Sequence, residues 1–472
     1  LGAYAGAWTA MRDEACQTHA EARQSDPLFD LRTACLDQRR AGFAGLVDAL
    51  SAIDATTIDR AIPAIGQLPA LGPCADVEAL TAAIPPPGDP VVRAQVQGQR
   101  ESLARAQAQE AAGRYREGLA TVTRVRERAV ELHYLPLLAE ALLRQGSLQM
   151  ESGEPAAADA SFGEALLSAL TVDHKIVAAQ AISRQIFVRA ERLGRPVEAL
   201  AELPLARALN AHIANDVDLR SEFLINVGAV YFKSAAVPEA RRTWEAALAL
   251  RDGGGREGTL LSLHILNNLV VVAQREHDTA SQVALGRQLV ARSARALGEH
   301  HPWHLTYTAT LAQALARAGR PGEARSLLHR AEQALAGSES GQVRGWVMLA
   351  HGDLARGSID HEDHDLVAAR QSYQAVLDEP TAGAGSLYGA RVGLGFVAAQ
   401  EGREAEMRAI FESLLAESRQ DVVRDTYAAA LIDLGRAREA SELLGAVLSR
   451  CVATDPSTPE ADDCGWSRYQ LG

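Results

Sequence analysis

At 472 residues the chain exceeds what one ordinary hydrophobic core serves, so several domains or a repeat array are expected. Its composition, 47% hydrophobic and 23% charged, is globular, while a net charge of −13 and a pI near 5.5 argue against a phosphate-binding surface and a nucleic-acid partner. No run approaches the roughly 18 apolar residues of a membrane span, so no membrane contact by this segment is expected. No signal-peptide pattern is present, but the chain starts at Leu1 rather than Met, which suggests a fragment.

The first 84 residues read as a helical bundle. Helix one is expected over Ala3 to Ala22, with Trp8, Met11 and Ala15 on one face, and helix two over Leu28 to about Ala52, with Cys35, Leu46 and Leu50 inward. A third helix is expected around Thr57 to Gln67, and a short one over Val77 to Ile84. Cys16 and Cys35 each stand about ten residues from the centre of the QSDP turn at Gln24 to Pro27, so antiparallel helices set them level and permit a disulfide in an oxidising compartment. Cys451 and Cys464 flank a terminal loop and form a second candidate pair, leaving Cys74 alone. Small buried residues or free thiols are the other reading of all five. PPPGDP, residues 85–90, is the clearest linker in the chain.

From residue 91 to 452 a pattern recurs with a period near 41. It is best formed at Leu224 to Leu250, two short amphipathic stretches joined by a tight turn. A small residue recurs at Gly146, Gly228, Ala312, Gly395 and Ala428, and a turn residue seven later at Gly153, Ala235, Gly319, Gly402 and Gly435. The second stretch carries a small residue, a large apolar one and a small one at i, i+4 and i+7: Ala158, Phe162, Ala165; Ala199, Leu203, Ala206; Ala240, Trp244, Ala247; Ala324, Leu328, Ala331. Small residues around a bulky one suit close helix–helix packing. The pattern resembles the tetratricopeptide repeat, a helix–turn–helix unit, at longer than its usual spacing. It implies an all-α fold, an α-α superhelix of about nine helical hairpins, with residues 1–84 as an N-terminal helical cap and 453–472 as a tail of coil in which Trp466 and Tyr469 fold back.

The opening segment carries a narrower resemblance. AYAGAWTAMRDEAC, QSDPLFDLRTACLDQR, LPALGPCADVEAL and IPPPGDP, continuing through GRYREGL and the stretch ending at Gly153, are similar to bacterial membrane-associated serine/threonine protein kinases that carry a repeat region behind the kinase domain and a transmembrane helix. The resemblance implies a regulatory or sensory region, tethered through an upstream transmembrane helix and lying on the extracytoplasmic side of the inner membrane, with the cytoplasm as the alternative. No DFG, HRD or strand-borne Gly-rich loop is present, so these residues are not expected to be an enzyme, and no cofactor or metal is expected.

Local motifs give chemistry little foothold. At the seventh hairpin about five residues are inserted, making GSIDHEDHD over Gly357 to Asp365, with His361, Asp363, His364 and Asp365 as metal-type side chains. The spacing is not that of a zincin, and a solvated loop explains it better. His300, His301 and His304 read as the start of a repeat, with Pro302 in its first turn. GLGFVA, Gly393 to Ala398, has no preceding strand, so Gly395 is a packing slot. RVRERAVE, Arg124 to Glu131, reads as a solvated face.

Binding has a better claim. Stacked hairpins form a groove lined by their first helices, and the position two before each small slot is expected to face it: Arg144, Gln185, Asn226, Asn267 or Asn268, and Thr310. Amides and a guanidinium can hydrogen-bond an extended backbone; the alternative is that these residues bridge adjacent helices. The expected partner is a protein or peptide. A scaffold in another assembly, such as the repeat array of a transcriptional regulator, and a metal-dependent enzyme at the 357–365 loop are the competing functions.

Overall fold

The structure is a computed structural model that describes residues 1–52, 60–81, 84–213, 216–255, 259–335, 341–357, 364–417 and 421–453, with side chains undescribed at 79, 212, 421–422 and 446–453. Among the described residues it is helical throughout, with no strand. Four helices come first: α1 (Gly2–Ala20), α2 (Asp26–Ser51), α3 (Ala61–Gly66) and α4 (Val77–Thr81). Nine hairpins follow: α5 (Pro90–Ala111) with α6 (Tyr115–Glu131), α7 (Leu135–Glu151) with α8 (Pro155–Thr171), α9 (Lys175–Phe187) with α10 (Pro196–Asn210), α11 (Val217–Lys233) with α12 (Val237–Gly253), α13 (Leu260–Arg275) with α14 (Thr279–Leu297), α15 (Pro302–Arg317) with α16 (Pro321–Leu335), α17 (Gly341–Arg356) with α18 (Leu366–Leu377), α19 (Ala384–Gln400) with α20 (Glu404–Glu417), and α21 (Asp421–Asp433) with α22 (Ala437–Ala453). In each, the odd-numbered helix is the first of its hairpin. The chain divides into two compact units, Leu1–Val227 and Gly228–Gly472.

The helices form where the periodicity places them, and the small–large–small slots explain their packing. Ala158, Phe162 and Ala165 are fully buried, as are Ala324 and Leu328, with Ala331 nearly so. Small residues on the partner helices make the space. A Cβ on Gly146 would stand 2.6 Å from the Phe162 ring, and one on Gly228 would collide with the Trp244 indole. Pro at the first turn starts α5, α7, α8, α10, α12 and α15, where a missing N–H costs nothing. The hairpin turns close through a left-handed residue: Gly153, Gly319, Gly402 and Gly435, with Ala235 as a non-glycine case at φ 57°. The fifth turn closes through His277 at φ 56°, and α17 ends at Arg356 with Gly357 in the left-handed region.

The first unit holds one clear departure from expectation. Cys16 is exposed and unpaired, while Cys35 is bonded to Cys74 across a Cα–Cα distance of 5.5 Å. Cys16 and Cys35 were placed level by counting from a shared turn, which ignores the direction of each side chain. Cys35 instead faces the turn Gly72–Cys74, which is fastened to α1 and α2 by the Tyr4 hydroxyl donating to the Pro69 carbonyl (2.9 Å) and Arg39 Nε donating to that of Ala70 (3.2 Å). The Cys451–Cys464 pair lies outside the described residues. Helix α2 lies against α5, where a Cβ on Gly45 would stand 3.0 Å from the Arg105 Cα and Gln97 donates to the Ala34 carbonyl at 3.0 Å.

Candidate partner-binding face

Most of the polar residues expected to face a partner are tied into the repeat framework. Arg144 on α7 donates to the Glu110 carboxylate of α5 at 2.6 Å. Gln185 is buried on α9 and donates to Asp159 of α8, to the backbone carbonyl at 3.1 Å and the carboxylate at 3.0 Å. Asn226 is buried as well, donating to the carbonyl (3.2 Å) and hydroxyl (3.0 Å) of Ser183. Thr310 returns its hydroxyl to the Thr306 carbonyl one turn back, at 3.1 Å. Burial takes Gln185 and Asn226 out of an open polar ladder, while Arg144 and Thr310 are half-buried and hydrogen-bonded within the framework. For Arg144, Gln185 and Asn226 the physical reason is burial: where adjacent hairpins press together, a polar side chain must find a partner, and the nearest one is in the neighbouring repeat.

Charged groups follow the same rule. In the first unit Arg100 of α5 forks onto Glu140 of α7 at 3.0 and 2.7 Å, and His174 adds a contact to the same carboxylate at 3.3 Å. Burial alone would raise the Glu140 carboxyl, but Arg100 and His174 outweigh it and hold the group below its ordinary value. Arg184 of α9 reaches forward to Glu222 at 2.8 Å and back to the Ser147 hydroxyl. In the second unit Asp353 of α17 accepts from Gln313 of α15 at 2.7 Å and from the Tyr373 hydroxyl of α18 at 2.8 Å. Second helices are cross-linked too, through Arg287–Glu323, Arg292–Asp252 and Arg370–Glu406, and Arg241 of α12 pairs with Glu276 just past the end of α13.

Asn267 and Asn268 stand apart. Both lie on α13, half-buried, and among the described residues neither carboxamide has a hydrogen-bond partner. At about 100° per residue they flank a stripe running through Leu260, His264 and Val271. His264 is exposed and Val271 is 40% exposed. Partial desolvation lowers the His264 pKa, so the imidazole is mainly neutral at pH 7. The Leu260–His264–Val271 stripe is therefore uncharged at pH 7, with a carboxamide on each side.

The remaining sequence motifs serve structure. His301 caps α15, its Nδ1 accepting from the Trp303 N–H at 3.2 Å, and His304 is buried against the Ser293 hydroxyl at 2.9 Å. Asp365 caps α18 by accepting from the Ala368 N–H at 2.9 Å, while His361 and Asp363 lie outside the described residues. Among the described residues no three metal-type side chains gather. A Cβ on Gly395 would meet the Phe411 ring at 2.6 Å, so GLGFVA is a helix-packing surface. Within Arg124 to Glu131, Val125 and Ala129 are buried, and the exposed side carries Val130, 54% exposed, which with Leu167 on α8 rims an apolar groove. Leu167 follows a buried leucine and falls outside the small–large–small slots, which is the sequence signal that marks it as surplus to the core.

No family model matches the chain, and no curated protein matches it. By fold it is similar to the apo form of RapI, at 8% identity and a TM-score of 0.51, covering 87% of this chain and 98% of that one. It also aligns with BtubC (BKLC) from P. vanneervenii at 19% identity and a TM-score of 0.42, over 47% of this chain and 91% of that one. A third alignment is to a human IFIT1 dimer with m7Gppp-AAAA, at 12% identity and a TM-score of 0.32, over 90% and 95% of the two chains. At 8% identity the likeness to RapI shows the fold alone: an all-α helical-repeat solenoid. No helix among the described residues is long and apolar enough to cross a membrane.

Proposed function

We propose that this chain is a non-catalytic interaction and regulatory module of a bacterial serine/threonine kinase, binding an extended peptide or protein segment on the first-helix face. The observation that carries the binding reading is the pair Asn267 and Asn268, uncommitted carboxamides beside the Leu260–His264–Val271 stripe. An extended backbone offers alternating N–H and C=O groups, and a carboxamide can serve both. An uncharged strip between the amides accepts an apolar side chain without stranding a charge.

The experiment is selection of a displayed library of random peptides on the immobilised protein, followed by titration of the enriched peptides. Asn267→Ala/Asn268→Ala is expected to weaken them tenfold or more, and Arg144→Ala to leave them unchanged. Equal binding to the double variant would remove the site.

The kinase link is supported by the similarity of residues 3–16, 24–39, 68–80 and 84–90 to the segment behind the transmembrane helix of such kinases. An extracytoplasmic position is favoured by the Cys35–Cys74 disulfide, since such bonds persist in oxidising compartments. The full-length gene tests the link directly. It is expected to encode a kinase domain and a membrane span ahead of Leu1, and an unrelated upstream domain overturns the assignment.

A further inference from the structure

In the first unit an open groove of about 420 Å³ runs between the second helices α6 and α8, floored by α7. Leu138 and Leu142, one turn apart on α7, form the floor, and Val130 and Leu167 form the apolar walls. Leu167 is 68% exposed, the most exposed large apolar side chain among the described residues, and it stands at the lip of the concavity. Leu170, one turn further along α8, and Leu135, at the start of the antiparallel α7, are 46% and 40% exposed at the same end of the hairpin. Scattered exposed leucines need no explanation, but a concavity with a protruding leucine on its own rim is a different feature.

The rim charges are opposite. Arg126 lines the α6 side and Glu164 the α8 side. Arg126 gives one N–H to the neutral Gln145 amide at 3.2 Å, which leaves its charge unbalanced, and Glu164 is exposed with no ion pair among the described residues. A two-fold interface brings the same patch against itself, so each group must meet its complement rather than its copy. A cation on one flank, an anion on the other, and an apolar knob beside an apolar hole satisfy that condition.

We propose that this groove is the interface of a two-fold symmetric dimer of the chain. Leu167 of each copy enters the groove of the other, and Arg126 of each pairs with Glu164 of the other.

The test is sedimentation of the full chain across a concentration series. The mass is expected to rise from monomer to dimer with concentration. Leu167→Asp, at an exposed position, is expected to weaken dimerisation at least tenfold without shifting the circular-dichroism melt. Glu164→Arg and Arg126→Glu are each expected to weaken it, and the double reversal Arg126→Glu/Glu164→Arg to recover most of the loss. A chain that stays monomeric throughout overturns the proposal. So does a dimer indifferent to Leu167→Asp, or a double reversal no better than the single ones.

Discussion

Asp433 closes α21 with its carboxyl half-buried, and burial pushes its pKa from 3.8 up to about 6 against the opposing pull of Arg356. The stability consequence has a definite sign. A raised acid stabilises the folded state below its unfolded pKa of 3.8, and that contribution is lost as pH rises through about 6. Asp433→Asn is therefore expected to raise the melting temperature at pH 8 and leave it nearly unchanged at pH 3.5; thermal melts at both values decide it. Asn226 teaches the converse lesson. Its place in the repeat register is readable from the sequence, but whether its amide meets a partner or Ser183 depends on how closely α9 and α11 approach, which no local pattern encodes. Asn267 and Asn268, one of which holds the same register, have no hydrogen-bond partner among the described residues.

At the scale of elements, the hairpins are legible because they rest on short-range rules: apolar spacing, a proline at the start and a left-handed turn residue. Phe162 and Gly146 can be matched from sequence because every repeat poses the same steric problem and solves it the same way. The cap has no such repetition, and there the expected disulfide partner was wrong. Cys74 reaches Cys35 only because the segment after α3 folds back over α1 and α2. The bond closes a separation of 39 residues, for which the chain-entropy model gives about 4 kcal/mol. Cys74→Ser is expected to cost the cap stability of that order, seen as earlier cleavage within residues 60–81 on limited proteolysis. Alkylation without reduction should meanwhile label Cys16 and spare Cys35 and Cys74; labelling of all three would contradict the pairing.

Across the molecule, polar links repeat at the period of the chain. Arg100–Glu140, Arg292–Asp252 and Gln313–Asp353 each span 40 residues, while Arg287–Glu323 and Arg370–Glu406 each span 36. Each tie reaches a neighbouring repeat and no further, so stability within a unit is a sum of nearest-neighbour terms. Arg370 holds Glu401 and Glu406 together, both at 2.7 Å. Arg370→Ala is expected to speed amide hydrogen exchange in α18 and α20 while leaving α13 and α14 unchanged, and a uniform change across the second unit would refute the nearest-neighbour picture.

By itself the sequence determined the helices, their pairing into nine hairpins and the residues that fill each interface, because those depend on contacts a few residues apart repeated along the chain. The tertiary structure alone decided what became of the polar groups. It matched Cys35 to Cys74, spent Arg144, Gln185 and Asn226 on neighbouring helices, and left Asn267, Asn268 and the Leu167 groove open. Those outcomes turn on distances of a few ångströms between segments some thirty to forty residues apart, and periodicity fixes the register of such segments without fixing their approach.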